Sequence, residues 1–443
     1  MSARSEELEY RLRRGEYGLW PQTSNAVTPL VWTEVISTTD EQLQELESLA
    51  NSLDGSTAHV VALGPTAWLS RAFSDLNLDE SNGRGVKVVP DAHPDRLAAI
   101  DTTDSDFIIV SPNSVDQGSE AVFDWLLSRV NSRSRYLVIA DPDSSIYQRA
   151  KEIGIRRLIP TQGKTREPWR ALGPEGLITP ALLGYNLHSI LEGARFGLVD
   201  RDLAPKVDEL AESLSYVYDL EIASTGLQRW CDTLLATALI DPHLHKISPT
   251  PGPTAQFSSP HSSSKRTLEL LGSGISRTQR TVALVAAFRS INPFDPTYEL
   301  NYDAELRKRL QQRLEQPVPR LSVEELIERL SRSEPSERHV RFVEFTASSF
   351  TDALASQGNA DTYHELSLLG PSIHGPSALR SFGELWAEST TTLHFVLALH
   401  DAPMESIQLR SQSSSFQELY RTSIQLFAES FRPTDHMVYT AQM

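Results

Sequence analysis

The run Phe107-Ile108-Ile109-Val110 leads directly into Ser111-Pro112-Asn113-Ser114-Val115-Asp116, and then into Ala121, Val122, Trp125, Leu126 and Val130 at helical spacing. Continuous rather than alternating apolarity marks a strand buried on both faces, and the helix-spaced residues behind it mark a crossover. The same unit recurs outward in both directions. Its further strands are His-Val-Val-Ala-Leu (59–63), Val-Lys-Val-Val (86–89), Tyr-Leu-Val-Ile-Ala (136–140) and Arg-Leu-Ile-Pro (157–160). Buried strands alternating with helices between residues 56 and 160 predict an α/β fold with a doubly wound parallel sheet.

In such a sheet ligands lie beyond the carboxyl ends of the strands, where loops meet helix N-termini. Three loops therefore matter: Gly64-Pro65-Thr66-Ala67, Ser111 to Asp116, and Asp141-Pro142-Asp143-Ser144-Ser145. Free backbone N–H groups and hydroxyls make the first two candidate anion sites. The competing reading is that Ser, Asn and Asp at helix starts are caps, and Asp116 favours it.

Composition removes several classes of function. With 41 Lys+Arg against 58 Asp+Glu the net charge is −17, which repels phosphate backbones and argues against nucleic-acid binding. The 443 residues, 40% of them hydrophobic, suffice for two or three domains. The lone Cys231 allows no internal disulfide and no thiolate metal cluster. It sits among Trp230, Leu234 and Leu235 on a helical pattern and reads as a small buried residue. Residues 5–14 are charged throughout, unlike a signal peptide, and no apolar run is long enough to span a bilayer, so a cytoplasmic protein with no membrane partner is expected.

From residue 56 to 200 the order of elements resembles the sugar-isomerase (SIS) domain of the phosphoglucose isomerase family. Asp-Pro-Asp-Ser-Ser (141–145) and the segment from Ala171 to Ala194, with its Gly-Leu pair, carry the resemblance in the first half. Ile-Asn-Pro-Phe-Asp (291–295) is similar to a segment that bacterial members carry between two SIS domains. Leu-Gly-Pro-Ser-Ile-His-Gly-Pro-Ser-Ala-Leu-Arg (369–380), Leu-His-Phe-Val-Leu-Ala-Leu (393–399) and Ser-Ser-Phe-Gln-Glu-Leu (414–419) match the family's closing order of a His-containing loop, a strand and a Ser-Phe helix start. The resemblance implies two three-layer αβα domains with helical connections: an N-terminal segment over 1–50, a first SIS-like domain over 51–197, a helical connection over 198–335 with a Pro/Ser-rich loop at 248–265, and a second SIS-like domain over 336–443.

The family's reaction moves a proton between C1 and C2 of a hexose 6-phosphate through an enediol, with no cofactor. It needs a phosphate cradle, a carboxylate base, a cation for the enediolate and a ring-opening histidine. The resemblance assigns the cradle to Thr66, Ser111, Asn113 and Ser114. The family's phosphate-loop lysine is here Pro112, one hydroxyl is Val115, and a carboxylate, Asp116, stands where a hydroxyl belongs; beside a dianion it would cost several kcal/mol. In the first loop Pro65 removes a backbone N–H.

Counting back from Ala171, the enediolate arginine falls on Pro168, with Arg166 and Arg170 two residues to either side. Alignment on Trp230 puts Thr237 in the place of the base, and threonine is no base near neutral pH. Glu175 or Glu384 would have to replace it. His374 matches the ring-opening histidine, and a second family histidine falls on Arg380.

These departures imply a catalytically impaired member, acting as a sugar-phosphate-binding or assembly subunit in carbohydrate metabolism. The alternative is an active glucose-6-phosphate isomerase with substituted residues. The expected partners are a sugar-phosphate ligand and either a second copy of the chain or sugar-phosphate enzymes. His243, His245 and His261 lack a carboxylate at ligand spacing, so no metal site is expected. The alternating charges from Ala304 to Leu330 read as a solvated face. Residues 1–55 carry too little basic charge for a DNA-binding module.

Overall fold

The computed structural model describes most of residues 3–21, 40–76, 84–90, 97–111, 116–161, 165–199, 224–240 and 264–312, together with Leu78 and short elements in 217–249 and 325–442. These residues divide between two compact units that share the chain unevenly. One comprises residues 1–90, 101–114 and 130–297; the other comprises 91–100, 115–129 and 298–443.

The first unit is built on a five-stranded sheet of β1 (Thr57–Ala62), β2 (Gly85–Val89), β3 (Ser105–Ser111), β4 (Tyr136–Ala140) and β5 (Arg157–Pro160), in the order β2-β1-β3-β4-β5. Every neighbouring pair is parallel. The expected parallel sheet is therefore present, with each strand within a few residues of its apolar run. β3 and β4 are buried along their whole length, as their unbroken apolarity demands, whereas β2 and β5 stand at the edges and are partly exposed.

Alternate residues of the strands face different layers. Ala58, Val60, Ala62, Ile108, Val110, Leu137 and Ile139 join one large core with the helices α1 (Ala3–Arg13), α2 (Asp40–Asn51), α3 (Pro65–Asp75), α6 (Pro174–Leu182), α7 (Leu187–Val199), α8 (Thr225–Ala236) and α9 (Ser264–Phe288). On the opposite face the rings of His59, Phe107 and Tyr136 stack across three adjacent strands, and α5 (Ser145–Glu152) packs against β4 and β5. This is a three-layer αβα arrangement.

α9 is the longest helix among the described residues, at 25 residues, and α7 crosses it closely. Small side chains permit the approach: Ser276 Oγ donates to Ala194 O at 2.8 Å. A buried ion pair, Arg280 to Glu9 at 2.6 Å, ties α1 to the same helix, and Arg280 also donates to Leu198 O. β6 (Val217–Tyr218) and β7 (Ser248–Pro249) form a short parallel pair within this unit.

The second unit contains α4 (Gln117–Arg129), α10 (Thr297–Gln312) and a four-stranded sheet of β8 (Val340–Glu344), β9 (Ser372–His374), β10 (His394–Leu399) and β11 (Met437–Gln442). The order is β11-β10-β8-β9 and all three pairings are parallel. A second parallel sheet thus accompanies the first. Glu120 of α4 pairs with Arg307 of α10 at 2.6 Å. The stretch of His243, His245 and His261 lies outside the described residues.

Candidate functional site

In a sheet of order β2-β1-β3-β4-β5 the chain reverses its direction of winding between β1 and β3, and the crevice beyond their carboxyl ends is where ligands bind. The loop after β1 enters α3 through Gly64, which has φ 123° and so favours glycine, and through Pro65 in the first turn. No side chain of this loop caps the helix. The exposed N–H groups of that first turn need an acceptor, and it comes from far along the chain. Glu167 Oε1 accepts from Thr66 N at 3.0 Å. A Cβ built on Gly64 would stand 3.3 and 3.5 Å from the two carboxylate oxygens, so the glycine also makes room for the acid.

Glu167 opens the 3-10 turn Glu167–Arg170, and the whole turn is buried. Backbone and indole bonds hold it. Arg166 N donates to Phe294 O, Trp230 Nε1 to Pro168 O at 3.1 Å, and Gln279 Nε2 to Trp169 O at 3.1 Å. The Trp169 ring is 1% exposed and packs on Phe294, whose other contact is an edge-on Trp20. Its Nε1 donates to Pro293 O at 3.0 Å and to Thr237 Oγ1 at 3.2 Å. Thr237 in turn donates to Leu234 O. The Ile291–Asp295 segment singled out in the sequence is thus the floor on which this turn rests.

The two positions to which the resemblance assigns the enediolate cation and the base therefore lie side by side, in the 166–170 turn and at Thr237. An indole fills the space between them. Arg170 turns the other way: its Nε donates to Thr165 O at 3.0 Å and its Nη1 meets Glu175 Oε1 at 3.4 Å. Glu175 lies in the first turn of α6, where the helix dipole favours an acid. Burial pushes its carboxyl above the ordinary range, against the pull of Arg170. The structure brings Arg170 and Glu175 together as a buried ion pair, and Arg166 is buried beside them in sequence at 1% exposure.

Ser111 ends β3, and its hydroxyl is fully buried without a hydrogen-bond partner among the described residues; the same is true of the Thr161 hydroxyl just beyond β5. Backbone bonds place them along the carboxyl edge of the sheet, with Asp141 N donating to Ser111 O and Thr161 N to Ala140 O. Asn113 and Ser114 lie outside the described residues. Asp116 takes the capping role that was the alternative reading: its carboxylate accepts from Ser119 N and Ser119 Oγ at the start of α4. Ser144 likewise caps α5 by accepting from Tyr147 N. His374 ends β9, opposite Glu344 of β8, in the second unit. Glu384 lies in a helical stretch of that unit. Cys231 is buried, and burial raises its thiol well above the ordinary range, which suits the core residue expected.

A hollow of about 160 Å3 opens elsewhere in the first unit, at the free edge of β5, between Leu43 and Leu46 of α2 and Leu172, Pro174 and Leu177 at α6. Among the described residues no three His, Cys, Asp or Glu side chains gather as metal ligands, and no helix is long and apolar enough to cross a membrane.

The sequence reading passed over Glu167 and Trp169. Glu167 had one signal: a helix starting Gly64-Pro65-Thr66 has no capping side chain of its own and must find an acceptor. Trp169 had none, because Thr237 is 68 positions away.

The class defined by these observations is that of three-layer α/β proteins with parallel sheets. Solved structures place the fold more narrowly. A glucose-6-phosphate isomerase from Chlamydia trachomatis is similar over 70% of this chain and 85% of its own, at TM-score 0.51 and 12% identity. A hypothetical protein from Thermus thermophilus is similar over 69% of this chain and 94% of its own, at TM-score 0.50 and 17% identity. At such identities the likeness is one of fold. No protein-family model and no curated protein matches the chain.

Proposed function

We propose that this chain is a divergent, catalytically impaired relative of the sugar-phosphate isomerases, acting in the cytoplasm as a sugar-phosphate-binding or assembly subunit, as a homodimer or with sugar-phosphate enzymes. The observation that carries the reading is the Trp169–Thr237 contact. Proton transfer between two carbons needs a carboxylate within reach of substrate and a cation facing the same atoms. In this reading the base position holds a threonine hydroxyl that accepts from the Trp169 indole and donates to Leu234 O, with no carboxylate in its place. The fold shared with a glucose-6-phosphate isomerase and the buried hydroxyl of Ser111 at the switch point support retention of a ligand crevice.

A second reading, an active isomerase with Glu175 as base and Arg170 as cation, has one observation in its favour: those two side chains meet, and burial raises the acid toward the working range of a base. Against it stand their exposures of 2% and 4%, which keep both side chains away from solvent among the described residues.

A coupled assay run beside calorimetric titration with hexose phosphates tests both. The expected result is no interconversion of glucose 6-phosphate and fructose 6-phosphate, with or without a binding isotherm. Turnover that disappears in Glu175→Gln would overturn the proposal and establish the second reading.

A further inference from the structure

Protein interiors are close-packed, so the hollow of about 160 Å3 beside β5 is volume that packing ordinarily removes. All the residues that line it belong to the first unit. Leu43 and Leu46 of α2 and Leu177 of α6 are buried, whereas Leu158 and Ile159 of β5 stay partly exposed beside them. An apolar cavity of about 150 Å3 holds one benzene ring, so the space suits a single ring or a short branched chain. The rim has its own chemistry. β5 is an outermost strand of its sheet, and Thr161 N donates to Ala140 O of β4. The N–H and C=O of one residue in a parallel strand point to the same side, and successive residues alternate. Ile159 therefore turns toward β4 with Thr161, while Leu158 turns both backbone groups, and Pro160 its carbonyl, outward. Proline suits that place because it has no N–H to leave unpaired. Glu45, exposed on α2, adds a carboxylate, and none of the described residues lining the hollow is basic.

We infer that this hollow is a binding site for a small primary amine with an apolar body of about six carbons, its ammonium group seated at the rim between Glu45 and the outward carbonyls of β5. An ammonium carries three donors and no acceptor, and so matches a rim of two carbonyls and a carboxylate. A carboxylate or phosphate in the same place would meet Glu45 as a like charge. The apolar body gains by leaving water for the leucine side chains of α2 and α6. The site goes beyond the function proposed above and does not rest on it.

The test titrates the full chain with benzylamine, benzyl alcohol and benzoate, following leucine and isoleucine methyl signals by NMR. Salt at about 0.15 M screens general attraction to the net charge of −17 beyond about 8 Å. Benzylamine is expected to move the methyls of Leu43, Leu46 and Ile159 and to bind about threefold more tightly than benzyl alcohol, the scale of one exposed ion pair, with benzoate weakest. Glu45→Gln, a change at an exposed helix position, is expected to equalise the amine and the alcohol while both still move the same methyls. Leu158→Trp, which fills the hollow from a partly exposed strand position, is expected to abolish binding of all three. Benzylamine that leaves those methyls unmoved overturns the inference. So does benzoate binding as tightly as benzylamine, a Glu45→Gln that keeps the preference for the amine, or a folded Leu158→Trp that binds as the wild type does. Where Leu158→Trp does not fold, the Glu45→Gln comparison decides alone.

Discussion

His59 is the residue whose environment is least comfortable with a proton. It lies on β1 with a ring 2% exposed, stacked on Phe107 with centroids 5.7 Å apart. Burial lowers its pKa from the ordinary 6.5, and Lys87 beside it on β2 adds to the effect, with Asp101 opposing. The unfolded chain then takes up a proton as pH falls through 6.5 while the folded chain does not, so stability is full above that pH and declines below it. His59→Phe keeps the stack and removes the titration. Urea midpoints at about pH 5.5 and 7.5 should differ less for His59→Phe than for wild type; an unchanged difference would assign the acid sensitivity elsewhere. Single residues also show where sequence reading stops. Asp116 was legible as a cap because its partner, Ser119, is one turn away. Glu167 and Trp169 were not, because their partners are Thr66 and Thr237, and no local spacing encodes such contacts.

Among elements, the strands were the most legible, because burial on both faces demands an unbroken apolar run and little else in a chain of this composition produces one. The α7–α9 crossing was not legible. Its cause is a pair of glycines that look incidental in the sequence: a Cβ on Gly272 would overlap the carbonyl of Ile190, and one on Gly193 would overlap the carbonyl of Glu269. Backbone meets backbone at both points, and neither helix can give locally. Gly272→Ala is expected to destabilise the protein by about 2 kcal/mol through overpacking, despite the better helix propensity of alanine. Ser276→Ala, which removes the hydroxyl shared between Ala194 O and Ser273 O, should cost about 1 kcal/mol. Denaturant unfolding compares the two, and a Gly272→Ala more stable than wild type would mean that the helices are free to separate. The Arg280–Glu9 pair belongs to the same assembly of helices. Removing one partner would strand a buried charge, so the pair constrains where α1 lies rather than adding much net stability.

At the scale of the molecule, the first parallel sheet agrees with the sequence pattern and the second with what the resemblance implied, while the division of the chain between units is something no linear reading supplies. The second unit draws residues 91–100 and 115–129 from within the span of the first. α4 illustrates the dependence: it buries Ala121, Val122, Phe123, Trp125, Leu126 and Leu127, and its Glu120 pairs with Arg307. A fragment ending at residue 297 would deprive that helix of its own unit. Such a fragment is expected to bind a hydrophobic dye strongly and to show lower cooperativity in thermal unfolding than the full chain. Sharp unfolding and no dye binding would show that 115–129 does not need the residues after 297.

The same interleaving sets a schedule for synthesis. Residues 115–129 leave the ribosome well before any residue after 297 exists, and at about 5–20 residues per second the interval is on the order of ten seconds. Through that time an apolar helix with Trp125 and Phe123 on it waits for the remainder of its unit, so shielding of the nascent chain is expected to raise the folding yield.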